Sequence, residues 1–122
     1  MADLIGAPYE LHGRSNDGMD CIGVVIEAFR REHSIDLPDP RPGGDADLES
    51  FAKLWDEVVP PVERFDMIHF VQRGQDGVAL VLDGRFAMSA NPNYNVFLMK
   101  IEALLRIPGA RIYRFRFEDW NS

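Results

Sequence analysis

One stretch of this chain carries apolar residues at helical spacing more clearly than any other. Ile22, Val25, Ile26 and Phe29 fall at i, i+3, i+4 and i+7, while Glu27, Arg30, Arg31 and Glu32 lie mostly on the opposite side. The spacing predicts a main helix over residues 21–33. Asp20 is placed to cap its start. His33-Ser34 lies near its end, and Leu37-Pro38-Asp39-Pro40 closes the segment. Leu48, Phe51, Ala52 and Trp55 predict a second helix from Asp47 to Val58, stopped by Pro60-Pro61. Residues 2–8 read as a short helix or turn, and 9–20 as a loop. Residues 38–46 hold Pro38, Pro40, Pro42, Gly43 and Gly44 and read as a loop without a regular element.

After residue 65 the period changes. Asp66 to Val71 predicts a strand, Gln72 to Gly77 a loop, and Val78 to Leu82 a central, fully buried strand. Asp83-Gly84 is a tight hairpin signal. Arg85 to Ala90 is the next strand, and Asn91-Pro92-Asn93 turns the chain. Asn95 to Met99 is a further short strand, and Ile101 to Leu105 a short helix or turn. Arg111 to Phe117 alternates and reads as a closing strand. Helices first and an antiparallel meander afterwards predict an α+β domain, its N-terminal helices packed on the sheet.

The length, 122 residues, suits one compact domain spanning 1–122. A formal net charge of -7 argues against a nucleic-acid surface, which needs clustered Lys and Arg. Arg111, Arg114 and Arg116 form a local basic cluster but read as the wet side of a strand. The single cysteine excludes an internal disulfide. The N-terminus lacks a basic region and a long apolar stretch, so no signal peptide is expected, and no run reaches the length of a membrane span.

Candidate chemistry centres on Cys21. A thiol in the first turn of a helix meets backbone N–H groups and a dipole that favour the thiolate, with Asp20 opposing slightly. The competing reading is a buried, inert thiol. A cysteine hydrolase also needs a base, a group that orients it and oxyanion donors. His12 lies in the loop before the helix. His69 lies on the first predicted strand. His33 stands about 18 Å from Cys21 along the helix and is excluded. Asp76 is a weaker base without an imidazole. No metal or cofactor is predicted. No second cysteine or His-x-x-x-His is present, Asp45, Asp47 and Glu49 lack calcium-loop spacing, and Gly43-Gly44 is no phosphate loop. Tyr9 either lines a cleft or packs in the core. Trp120 either anchors a partner or covers a sheet edge.

Several of these residues stand in a familiar order. Pro8-Tyr9 and Gly13-Arg14 precede Asp20-Cys21 at the helix start. The helix runs out through Arg31-Glu32-His33-Ser34-Ile35-Asp36-Leu37-Pro38. Phe65-Asp66 opens the first strand, and Val78 to Leu82 leads into Asp83-Gly84-Arg85-Phe86. In this order the chain resembles the NlpC-type cell-wall cysteine peptidases, and more narrowly the branch encoded in bacteriophage tail-gene clusters. The resemblance implies a papain-like fold with Cys21 at the nucleophile position. It places the catalytic imidazole at Gly77, or at Asp76 with a one-residue slip, and a third polar residue at Met88. Neither imidazole position holds histidine, which leaves His69 and His12 as substitutes. The resemblance therefore implies a structural component of a tail tip or tail assembly, made in the host cytoplasm and carried in the virion, without hydrolase activity. Its partners would be neighbouring tail proteins and peptidoglycan. The alternative is an active peptidase or amidase acting on peptidoglycan stem peptides.

Overall fold

The computed structural model describes residues 2–120. A 3-10 turn over Ala2–Leu4 leads to a small hairpin of β1 (Arg14–Ser15) and β2 (Gly18–Met19). The main helix α1 spans Cys21–His33, and α2 spans Leu48–Ala52. The sheet strands are β3 (Trp55–Val58), β4 (Met67–Gln72), β5 (Gln75–Val81), β6 (Phe86–Asn91), β7 (Asn95–Lys100) and β8 (Arg111–Phe115). Short helices α3 (Ile101–Leu105) and α4 (Phe117–Trp120) flank β8. The strands form one antiparallel sheet in the order β3-β8-β4-β5-β6-β7.

The α1 prediction holds at both ends because its caps are local. The Asp20 carboxylate accepts from the Gly23 N–H at 2.8 Å. Ser34 adopts a left-handed conformation at the other end, and its N–H returns to the Arg30 carbonyl.

Both faces of the sheet are buried. On one, Val25, Ala28 and Phe29 of α1 pack with Trp55, Phe65, Met67, Val78, Leu80 and Phe115. On the other, Ile101 and Leu104 of α3 pack with Ile68, Phe70, Ala79, Val81 and Ile112. A third cluster joins Leu4, Met19 and Val24 to Met88, Ala90 and Val96.

Four predicted elements change. The predicted loop 9–20 carries the β1–β2 hairpin, with Arg14 paired to Met19 and Ser15 to Gly18. The second helix stops at Ala52, and Trp55–Val58 is a strand paired with β8. Leu48 is exposed while Phe51 and Trp55 are buried, so the spacing that suggested a continuous apolar face spans a helix and a strand. The predicted loop 72–77 is mostly strand. Arg73 and Gly74 both take positive φ and turn the chain in two residues, so β5 begins at Gln75. The predicted closing strand ends at Phe115 and lies inside the sheet, between β3 and β4. Ile112 faces one core and Phe115 the other, so its arginines do not share one wet side. Instead they pair: Arg111 with Glu57, Arg114 with Asp66 and Glu63, Arg116 with Asp56 and Asp119.

Candidate functional site

Asp20 organises the start of α1. Its Oδ1 accepts from the Gly23 N–H and from Arg14 Nη1, each at 2.8 Å, and its Oδ2 accepts from the His12 N–H at 2.8 Å. Arg14 Nε reaches on to both carboxylate oxygens of Asp39, at 3.1 and 3.0 Å. A cap, a turn and the proline-rich loop thus converge on one half-buried guanidinium. The packing is close enough to require glycine at position 23. A Cβ there would lie 2.3 Å from the Gly13 carbonyl oxygen.

Cys21 follows at once and lines a cleft of ≈ 620 Å³ with Tyr9, Asp76, Gly77, Ser89 and Tyr94. Burial pushes its thiol pKa up. Asp20 adds to the rise, and the N–H groups of Val78, Ile22 and Cys21 offset only part of it. The thiolate expected from a helix start is therefore opposed by desolvation. Tyr9 meets both readings, lining the cleft while packing against the third apolar cluster.

The other predicted site residues fall in different places. Gly77 lies in the cleft wall opposite Phe70 in the β4–β5 ladder, and a Cβ at Gly77 would come 2.7 Å from the Phe70 ring tip. Met88 is fully buried in the third apolar cluster. Asp76 reaches the cleft, and its Oδ1 lies 2.9 Å from His69 Nε2. His69 is paired with Val78, the residue whose N–H faces the Cys21 sulfur. His69 itself does not line the cleft. His12 takes a positive φ in the turn before β1, and its backbone rather than its ring serves Asp20. His33 packs its ring on Phe65 and Phe117, at 4.6 and 4.8 Å between centroids. No imidazole bonds the Cys21 sulfur among the described residues, and none of the three histidines lines the cleft.

Three features escape a local reading of the sequence. Asp39 as partner of Arg14 is set by a loop closing over 25 residues. Ser89 lies inside an apolar strand, and its Oγ donates to the Val78 carbonyl at 2.6 Å. The His69–Asp76 contact follows from the two-residue turn at Arg73-Gly74, whose register brings positions 69 and 76 diagonally together. That turn was the available signal.

Among the described residues no group of three His, Cys, Asp or Glu stands together as a metal cage, and no helix is long and apolar enough to cross a membrane. No family model and no curated protein matches the chain. Among solved structures it is similar to the crystal structure of the NlpC/p60 domain of peptidoglycan hydrolase SagA. The two share 20% identity with a TM-score of 0.61 over 91% of this chain and 90% of that one. At that identity the likeness is one of architecture: the chain has an NlpC/p60-type, papain-like α+β fold.

Proposed function

We propose that this chain is a structural component of a bacteriophage tail tip or tail assembly, built on the fold of a peptidoglycan peptidase and catalytically silent. The observation that carries the silence is the cleft itself: Cys21 lines it and no imidazole does. A thiol whose pKa is raised by burial is a poor nucleophile at neutral pH. Without a neighbouring acid, the leaving amine would also depart unprotonated. The tail assignment is supported by the ordered motifs around Asp20-Cys21 and Asp83-Gly84-Arg85-Phe86. Its partners on this reading are neighbouring tail proteins, with peptidoglycan as a further ligand.

A zymogram on purified cell wall, run beside Cys21→Ala, tests the silence. The expected result is no clearing by either protein, and Cys21-dependent clearing overturns it. Mass spectrometry of purified particles tests the location, with absence of the chain from them as the overturning result.

One contact favours a second reading, an active cysteine peptidase or amidase on stem peptides. His69 and Asp76 form an imidazole–carboxylate pair, and His69 stands opposite Val78, whose N–H faces the Cys21 sulfur. On that reading His69 would act as base and Asp76 would orient it. The same zymogram with His69→Ala separates the two, since clearing lost in both variants selects the enzyme.

A further inference from the structure

Phe70, Ala79 and Ala87 belong to the apolar cluster beneath α3. Side chains alternate along a strand, so Gln72, Gln75, Gly77, Ser89 and Asn91 lie on that same face of the sheet. Phe97 joins them as the partner of Ser89, and Met99 as the partner of Ala87. The residues at 70, 72, 75, 77, 89, 91, 97 and 99 all line the cleft, and among the described residues none from α3 does. A large part of the cleft therefore lies on the face opposite α1, and Cys21 and Tyr9 reach it from the α1 side.

This trough exists because two hairpins part. The β5–β6 ladder ends at Leu80–Met88, and just beyond it Ser89 Oγ bridges to the Val78 carbonyl. Continued at that register, Asp76 would meet Pro92, which has no N–H to offer. The turn at Arg73-Gly74 and the turn over residues 91–95 thus stand apart as two rims. Main-chain donors on the second rim are already used. The Asn93 and Tyr94 N–H groups donate to Asn91 Oδ1, each at 2.9 Å. This commits the Asn91 oxygen and leaves its amide nitrogen as a donor. Gln72, Gln75 and Asn93 supply further side-chain amides. Tyr94 is 66% exposed, and its ring centroid lies 5.2 Å from that of Phe97. Arg73 and Asp76 stand on the first rim and offset each other in charge.

We propose that this trough binds a neutral saccharide, with a pyranose ring lying on Tyr94 and its hydroxyls held by the side-chain amides of Gln72, Gln75, Asn91 and Asn93. A hydroxyl both donates and accepts, which suits planar amides of both kinds. The C–H face of a pyranose is apolar and fits the negative face of an aromatic ring. The volume, ≈ 620 Å³, falls in the range of about 300–1,000 Å³ common to small-ligand sites. One lining arginine beside Asp76, on a chain of net charge -7, disfavours phosphates and sugar acids. Binding here uses no nucleophile, so it goes beyond the reading of Cys21 and is tested apart from it.

The test is nuclear magnetic resonance titration of the full chain with defined hexasaccharides. Three are hexamers of glucose, galactose and mannose. A fourth is the N-acetylglucosamine hexamer, standing for a cell-wall strand, and a fifth is the charged galacturonic acid hexamer. At least one neutral hexamer is expected to shift the side-chain amides of Gln75 and Asn91 and the ring of Tyr94. Tyr94→Ala is expected to weaken that binding about tenfold or more, and Tyr94→Phe no more than about twofold, since the ring is kept. Gln75→Ala, on the other rim, is expected to weaken it about threefold. Shifts with the N-acetylglucosamine hexamer alone support the site with cell wall as its source. Shifts with a hexose chain support it with another polysaccharide. No shift with any neutral hexamer, undiminished binding by Tyr94→Ala, or tighter binding of the charged hexamer each overturn the site. Cell-wall clearing through Cys21 would remove the silent reading and leave the site standing. A chain present in particles that binds no hexamer loses the site alone.

Discussion

The two ends of α1 rest on different kinds of sheet. Near its C-terminus, Phe29 meets the rings of His33, Trp55, Phe65, Phe115 and Phe117, all within 5.8 Å between centroids. Beneath lie β8 and β4, each paired on both sides. At the N-terminus, Cys21 lies over the place where β5 and β6 part. One end is closed by aromatic packing. The other is held by polar contacts to Asp20 and leaves a cleft. Stability and access are thus separated along one helix, so the open end can stay open without loosening the core.

The largest break in this contrast should come from Phe29→Ala. Removing a fully buried ring from the aromatic cluster is expected to cost about 4 kcal/mol, read by urea denaturation. A loss below about 1 kcal/mol would mean that the closed end does not carry the stability assigned to it.

Asp20→Ala comes next. It removes the helix cap and one partner of Arg14, while Asp39 still holds the guanidinium. We expect a loss of about 2 kcal/mol, and about half of that for Asp20→Asn, which keeps an oxygen for the Gly23 N–H. Equal losses in the two variants would show that charge, not capping, holds the open end.

A smaller effect sharpens the role of Asp39. Burial raises its carboxyl pKa, but the Arg14 guanidinium and the Arg41 N–H outweigh that and hold it below 3.8. The folded value lies below the unfolded one, so the contribution is present above about pH 4 and is lost as pH falls through the folded value. Denaturation at pH 5 and pH 3 should therefore show a smaller difference for Asp39→Asn than for the native chain.

The smallest change concerns rate rather than stability. With its pKa raised by burial, Cys21 should react with iodoacetamide at pH 8 roughly tenfold more slowly in the folded chain than in urea, followed by intact mass. Labelling as fast as in urea would undo the assignment of an inert thiol.

Much of the fold was legible along the chain. The α1 boundaries follow from an apolar stripe and an N-cap, both read within four residues. Trp55 misled because a strand residue stood four places after Phe51, imitating a helical repeat; pairing with Phe115 decides its state. Met88 and Gly77 were legible as residues that are not histidine, but not as a buried core side chain and a cleft wall beside Phe70. The His69–Asp76 pair and the Arg14–Asp39 contact depend on register and loop closure, which no local pattern encodes.

By itself the amino-acid order determined the main helix, its cap, the hairpin at Asp83-Gly84 and the placing of one thiol at a helix start. Those are set by interactions between near neighbours: side-chain periodicity, capping and turn chemistry. Tertiary structure alone decided that β8 lies between β3 and β4 and that the β5–β6 ladder ends at Leu80–Met88. It also decided that the Val78 N–H, and no imidazole, faces the Cys21 sulfur at the wall of a cleft. Strand order and ladder length depend on what packs against both faces of the sheet at once, and those partners are tens of residues apart in the chain.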